Sequence, residues 1–331
     1  MNRHTSISVH LIATAAIACL LPLILQSPIL AAEVLIFALA AIGCNLLLGY
    51  TGLLPFGQAL FFGTGAYVAS LAAIHWDSSM LPVLLFALLA GGALAVLVGF
   101  LSIRRQGIYF VMLTLAFGQL GYFIAYMAEG VTGGEDGMLD VPRAALDFWI
   151  IPSISLENDW TFYGWVALVF IASFVFLQRL VDSPLGSVLQ AIKQNERRAI
   201  AVGYQVRLYK IAVFAFSGVV TALAGALYAM LLNFAPLSNI DLETSEVIIF
   251  MCVLGGLGSL YGSIVGAGVY LVATELLSDI WPRWMLLLGL LLIFVMLFAR
   301  GGLWSGLTLL WEGFRNRNRN DELKKAEVSH D

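Results

Sequence analysis

Residues 81–103 read LPVLLFALLAGGALAVLVGFLSI, a run without one charged side chain that stops at Arg104-Arg105. Wound as an α-helix at about 1.5 Å per residue, such a run reaches across a hydrocarbon layer, for which roughly 20 apolar residues are enough. Similar runs recur along the whole chain. Spans are predicted at 9–26, 29–49, 52–74, 81–103, 107–127, 162–180, 211–233, 244–259, 263–278 and 284–300. Of 331 residues, 60% are hydrophobic and 11% charged, against about 25% charged in a soluble domain. A soluble fold has too little core to hide that much apolar surface, so the solvent is lipid. The predicted fold class is all-α, a polytopic membrane helix bundle of about ten spans.

Two places in this map need a decision. The run from Val9 to Leu25 follows Arg3 as a signal peptide would, but Pro22, Gln26 and Pro28 stand where a small-x-small cleavage site is needed, so it is read as a retained first span. The eighth and ninth spans are short and flank Gly255-Gly256-Leu257-Gly258-Ser259-Leu260-Tyr261-Gly262. They are either two full crossings or a broken or re-entrant pair, since irregular backbone at membrane depth is tolerated only where protein or water surrounds it.

Charge fixes the orientation. With the N-terminus inside and sides alternating, all of the 17 basic residues except Arg143 and Arg283 fall on the cytoplasmic side, a strong positive-inside pattern. The pattern supports an even span count with both termini cytoplasmic. It divides the chain into a cytoplasmic N-terminus at 1–8, a transmembrane domain at 9–311 and a disordered charged tail at 312–331. Within the domain lie an acidic outer loop, 128–161, and a basic inner loop, 181–210. Cys19, Cys44 and Cys252 sit in apolar runs without metal-ligand spacing and are read as small core residues. The four histidines are scattered, so no metal site is expected.

The inner loop carries the most specific pattern. Ser183 is placed to cap a helix whose first residue is Pro184. Leu185, Val188, Leu189 and Ile192 then form one apolar stripe. Asn195 can cap a second short helix, Glu196 to Val202, ended by Gly203. The result is an amphipathic hairpin bearing Lys193, Glu196, Arg197 and Arg198. One reading is a surface helix held by anionic lipid. The other is a docking element for a cytoplasmic partner, because a structured loop of this length is unusual in a compact bundle without a function.

Elsewhere, Gly49, Gly52, Gly57, Gly63 and Gly65 allow close backbone approach, and Pro55 interrupts the helix ladder. Gln58 is a polar side chain at membrane depth that needs a partner or water. The stretch is either tight helix packing or a broken helix beside a substrate pathway. The glycines of Thr132-Gly133-Gly134-Glu135-Asp136-Gly137 suit a tight outer turn, and Glu135 and Asp136 can alternatively meet basic groups of an external protein. The phosphate-loop pattern Gly-x4-Gly-Lys-Ser/Thr is absent, so the chain does not itself bind ATP.

The stretches 183–186, 191–199 with Gly203, 49–59 running into 62–67, 132–137 and 254–262 together resemble the LivM-type permease, over roughly residues 30–300. Ser187 stands where that family often has arginine, and the general importer signature is degenerate. The resemblance implies one membrane half of a bacterial inner-membrane ABC importer for branched-chain amino acids. It also implies cytoplasmic ATPase subunits, a second homologous permease subunit and a periplasmic substrate-binding protein as partners, with no cofactor and no nucleic acid. It makes 181–210 the coupling loop, with Asn195, Glu196, Arg197, Arg198, Ala199 and Gly203 as the ATPase-coupling residues. Gln58, Tyr67 and Tyr261 are the candidate pathway residues. The alternative class is an ion-coupled secondary transporter or a channel. Such proteins usually bury ionisable groups near the midplane, whereas Glu33, Glu246 and Glu275 all lie near predicted span ends. An intramembrane enzyme is disfavoured, because no Ser/His, paired Asp or His-x3-His arrangement sits at a consistent depth.

Overall fold

The computed structural model describes residues 3–76, 79–143, 146–148, 151–298 and 301–306. The helices in chain order are α1 (Arg3–Leu25), α2 (Pro28–Thr51), α3 (Gln58–Trp76), α4 (Met80–Ser102), α5 (Ile108–Met127), α6 (Glu129–Thr132), α7 (Asp159–Val181), α8 (Pro184–Gln194), α9 (Glu196–Ala201), α10 (Val206–Leu232), α11 (Leu242–Gly255), α12 (Leu260–Ile280) and α13 (Trp284–Phe298). Among the described residues, α2, α4, α5, α7, α10 and α12 are long and apolar enough to cross a membrane, and α1 and α13 contain shorter apolar stretches.

α2 is the hub. From Ala31 to Leu47 every residue except Glu33 is buried, and α10, α12, α7 and α11 surround it. Its start is set by Ser27, whose side chain accepts from the Leu30 amide, with Pro28 in the first turn. α3 and α10 cross without space for side chains: a Cβ on Gly65 would collide with the Ala222 carbonyl, and one on Gly225 with the Phe62 carbonyl. That is how small residues bring helices together when lipid supplies no hydrophobic drive between them. Phe37, Phe62 and Tyr228 fill the meeting point of α2, α3 and α10 with ring centroids 5.1 to 5.6 Å apart. The outward faces of α4 and α5 remain apolar and exposed, for example Leu89, Leu97, Met112 and Phe123.

Several expectations change. α3 starts at Gln58, not at 52. Gly52 adopts φ +74° and closes α2, and Pro55 cannot continue a helix, so 52–57 is irregular although it is apolar. α1 starts at Arg3, because nothing in residues 3–8 breaks a helix. α10 starts at Val206, inside the segment assigned to the inner loop. The Gly-rich stretch is a sharp reversal between α11 and α12, with Gly256 at φ +119° and Gly258 at φ +84°. The outer loop departs from a purely helical fold through a short antiparallel pair, β1 (Leu146–Phe148) with β2 (Ile151–Ile154). Cys44 and Cys252 are buried, but Cys19 is exposed: on a lipid-facing helix both sides are apolar, so an apolar run does not identify the inward face. The tail at 312–331 lies outside the described residues.

Candidate functional site: the hairpin and two helix breaks

Ser183 caps α8, its hydroxyl accepting from the Leu185 amide at 3.2 Å, with Pro184 in the first turn. Gly186, Val188, Leu189 and Ile192 face inward. Gly186 was absent from the predicted stripe. It is required there, because a Cβ would strike the Val181 carbonyl at the end of α7. Asn195 adopts an extended conformation between α8 and α9, and its Oδ1 accepts from the Arg198 amide at 3.0 Å. Gly203, at φ +100°, lets the chain leave α9. Val188, Ile192, Ala199 and Val206 form a small core of their own beneath the hairpin, with Tyr209 against it. Burying side chains of this size contributes on the order of 1.5–3 kcal/mol each for the larger ones, so the hairpin is a folded unit.

Two cations fasten this unit to the bundle. Lys193 donates from Nζ to the Gly49 carbonyl at the end of α2, 2.6 Å away. Glu196 pairs with Lys210 of α10 at 2.7 Å, and the lysine side chain is only 5% exposed. A buried lysine needs such a partner, since an unpaired charge out of water is strongly unfavourable. Arg197 and Arg198 point outward, beside exposed Ile200 and Val202. The face offered to solvent is therefore cationic with an apolar edge.

Two helix breaks interrupt the bundle, at 52–57 between α2 and α3 and at 256–259 between α11 and α12. At the first, the start of α3 is satisfied by other helices: the Phe56 amide donates to Thr114 Oγ1 at 3.2 Å, and the Ala59 amide to Ser245 Oγ at 2.8 Å. Gln58, fully buried, donates to Ser217 Oγ at 3.0 Å and accepts from Thr221 Oγ1 at 2.9 Å, while Ser217 donates to the Gly43 carbonyl at 2.7 Å. At the second break, Asn45 of α2 accepts from the Gly258 amide at 2.9 Å. It donates to the Ser259 carbonyl at 2.9 Å and to Ser263 Oγ at 2.8 Å. Sequence reasoning passed over Asn45. The available signal was the same as for Gln58, a lone amide inside an apolar run.

The structure does not bring Gln58, Tyr67 and Tyr261 together. Gln58 belongs to the knot of α2, α3 and α10. Tyr67 lies further along α3, buried, with no hydrogen-bond partner for its hydroxyl among the described residues. Tyr261 hydrogen-bonds His10 Nδ1 at 2.7 Å and stacks on Trp304, so it closes the seam between α1 and α12. At the other end of α10, Arg143, also unanticipated, joins four groups. It donates to the Met230 and Leu231 carbonyls at the end of α10, to the Glu157 carbonyl, and to Asp159 at 2.7 Å. Glu135 and Asp136 are exposed on a tight 3-10 turn.

The family described as "Branched-chain amino acid transport system / permease component" matches residues 29–296. The high-affinity branched-chain amino acid transport system permease protein LivM of Escherichia coli is 28% identical over 287 residues, covering 81% of this chain and 68% of the relative. The autoinducer 2 import system permease protein LsrC of Yersinia pseudotuberculosis is 29% identical over 230 residues, 64% of this chain and 62% of the relative. The L-arabinose ABC transporter permease protein AraH of Azospirillum brasilense is 27% identical over 237 residues, 70% and 63%. No solved structure matches. With its apolar helices long enough to cross a bilayer and this match over most of its length, the chain is a multi-pass membrane protein that belongs to the permease-component family of branched-chain amino acid transport systems.

Proposed function

We propose that this chain is one membrane half of an ATP-driven importer in a bacterial inner membrane, taking up branched-chain or closely related small hydrophobic amino acids. With about ten spans and both termini cytoplasmic, α8 and α9 would lie on the ATPase side. Asn195, Glu196, Arg197, Arg198, Ala199 and Gly203 then form the coupling surface. Arg197 and Arg198 meet the ATPase subunit, Asn195 and Gly203 fix the angle between the helices, and Ala199 fills the small core. Closure of the ATPase pair on ATP would pull this unit and, through its two anchors, α2 and α10. A second homologous permease subunit completes the pathway. A periplasmic binding protein delivers cargo to the outer face, where Glu135 and Asp136 are available to its basic groups. The relatives carry names of different cargo, so cargo choice is assigned chiefly to the binding protein. Gln58 and Tyr261 serve the pathway indirectly, by holding the helices around it, and Tyr67 is the candidate for direct contact.

The observation that carries this reading is the hairpin with its own core, fastened by Lys193 and by the Glu196–Lys210 pair. The test replaces Asn195, Glu196 and Arg197 together with alanine, then measures co-purification of the ATPase subunits and uptake of labelled leucine. Both fall sharply if the hairpin docks them, and unchanged uptake would reject the docking role. Collapsing ion gradients at constant ATP leaves uptake intact, whereas a secondary transporter would stop.

A further inference from the structure

One pair of cations takes no part in the hairpin's anchoring. Arg104 follows the end of α4 and Arg207 lies in the first turn of α10. Their guanidinium carbons sit 4.8 Å and 4.7 Å from the centre of the same ring, that of Phe100. Cation–π attraction accounts for each contact singly. It also gathers two like charges on one ring, with the guanidinium carbons at most about 9.5 Å apart. Among the described residues the ion pairs are Arg143–Asp159 and Glu196–Lys210, so neither arginine has a carboxylate partner there. Arg207 is further disfavoured by its own helix: it stands at the positive end of α10, whose first turn has no acidic residue and whose Gln205 provides no side-chain cap. An anion that reaches both guanidinium groups past the edge of the ring would relieve both conflicts.

The surroundings say what kind of anion reaches this point. Phe100, Leu97, Leu101 and Leu208 are all more than 40% exposed, and they continue the apolar outward face of α4. Beside the arginines is a groove whose lining adds Ile103, Val206 and Leu208 to them, together with the mutually neutralising Glu196–Lys210 pair. A ligand lying here meets charge at one end and hydrocarbon along the rest. We propose that Arg104 and Arg207, presented on Phe100, bind the headgroup of an anionic phospholipid, whose acyl chains run along Leu97, Leu101 and Leu208. The topology proposed above puts this lipid in the inner leaflet, but the site itself does not depend on the transport reading. A carboxylate of a docked ATPase subunit is the competing occupant. It is less suited, because the apolar flank would then face a water-soluble protein.

The test uses the purified full chain in mixed micelles of phosphatidylglycerol and phosphatidylcholine, with retained lipid counted by native mass spectrometry. The parent chain retains phosphatidylglycerol selectively. R104Q/R207Q binds it roughly thirtyfold more weakly, the product of two cations near the membrane surface. R315Q/R317Q removes the same charge from the tail and leaves retention unchanged. F100L keeps both charges without their common ring and loses part of the selectivity, which supplies the same test should R104Q/R207Q fail to fold. Equal phosphatidylglycerol retention in the parent and in R104Q/R207Q or F100L overturns the proposal. So does a variant that keeps the lipid but loses the ATPase subunits, which would assign the pair to protein docking. None of these measurements requires uptake, so an inactive importer that still selects phosphatidylglycerol would count against the transport reading alone.

Discussion

Replacing Asn45 with leucine isolates what the reversal between α11 and α12 depends on. The two side chains share one branched four-heavy-atom shape, so no cavity opens; leucine is the bulkier, and its overpacking adds to the loss of the polar contacts. Asn45 makes three short bonds, to the Gly258 amide, the Ser259 carbonyl and Ser263 Oγ, and it is fully buried. In the variant the Ser263 hydroxyl can turn back to the Ser259 carbonyl one helical turn earlier, which leaves the Gly258 N–H facing methyl groups. One orphaned buried amide costs about 1–3 kcal/mol, and each lost bond adds about 1 kcal/mol net, for a total of about 2–4 kcal/mol. That is a large part of a typical stability. Thermal unfolding followed with a thiol-reactive dye reads it locally. Cys44 and Cys252 are buried, one beside Asn45 and the other near Gly256, and C19S silences the exposed thiol. N45L should melt roughly 5 °C or more below the parent and label faster at Cys252 at 25 °C. A melting point within about 1 °C of the parent, with unchanged labelling, would show that Asn45 does not hold the turn.

Removing the partner of Lys210 by E196Q should cost about 2 kcal/mol, less than for a fully dry pair because Glu196 is partly exposed. E196Q/K210M should recover most of the loss in the same melting assay. K193M should leave ATPase subunits bound, since Asn195, Arg197 and Arg198 are untouched, while leucine uptake driven by ATP falls severalfold. Normal uptake in K193M would remove the Gly49 contact from the coupling route. R143M should release the outer loop from α10 and α7, and limited proteolysis within 128–158 should speed up by at least about tenfold, since losing even one charge-assisted bond costs about 1.5–3 kcal/mol and Arg143 makes four.

What the sequence could reveal depended on whether the deciding interaction was local. The hairpin was readable because its determinants are neighbours: Ser183 and Pro184 start α8, a four-residue stripe orients it, and Asn195 and Gly203 bound α9. Gly186 was missed because its reason is the Val181 carbonyl on the preceding helix, which no periodicity encodes. The start of α3 was misplaced because Leu53 and Leu54 count as apolar in any hydropathy window, while the break is made by Gly52 adopting φ +74° with Pro55 behind it. Tyr261 was named as a candidate pathway residue, yet it bonds His10 and stacks on Trp304, both distant in sequence. For Cys19 the difficulty is the solvent. Lipid accepts apolar groups as readily as the core does, so the amphipathic period that orients a soluble helix is weak here.

The distribution of polar contacts bears on how movement at the inner face would reach the membrane. Among the described residues, most side-chain bonds between distant helices involve α2 or α10. These same two helices receive the hairpin's anchors, Lys193 at Gly49 and Glu196 at Lys210. Four residues before Gly49, Asn45 holds the α11–α12 reversal. Along α10, Ser217 and Thr221 hold Gln58 at the start of α3. Each anchored helix therefore holds one of the two helix breaks, where the backbone lacks its own ladder of helical bonds. Apolar contacts between lipid-bathed helices slide at little cost, but a directed bond to a buried amide is either made or lost. A pull on the hairpin would thus be expressed first as a change at the two breaks, with the six long helices moving as rigid rods around them.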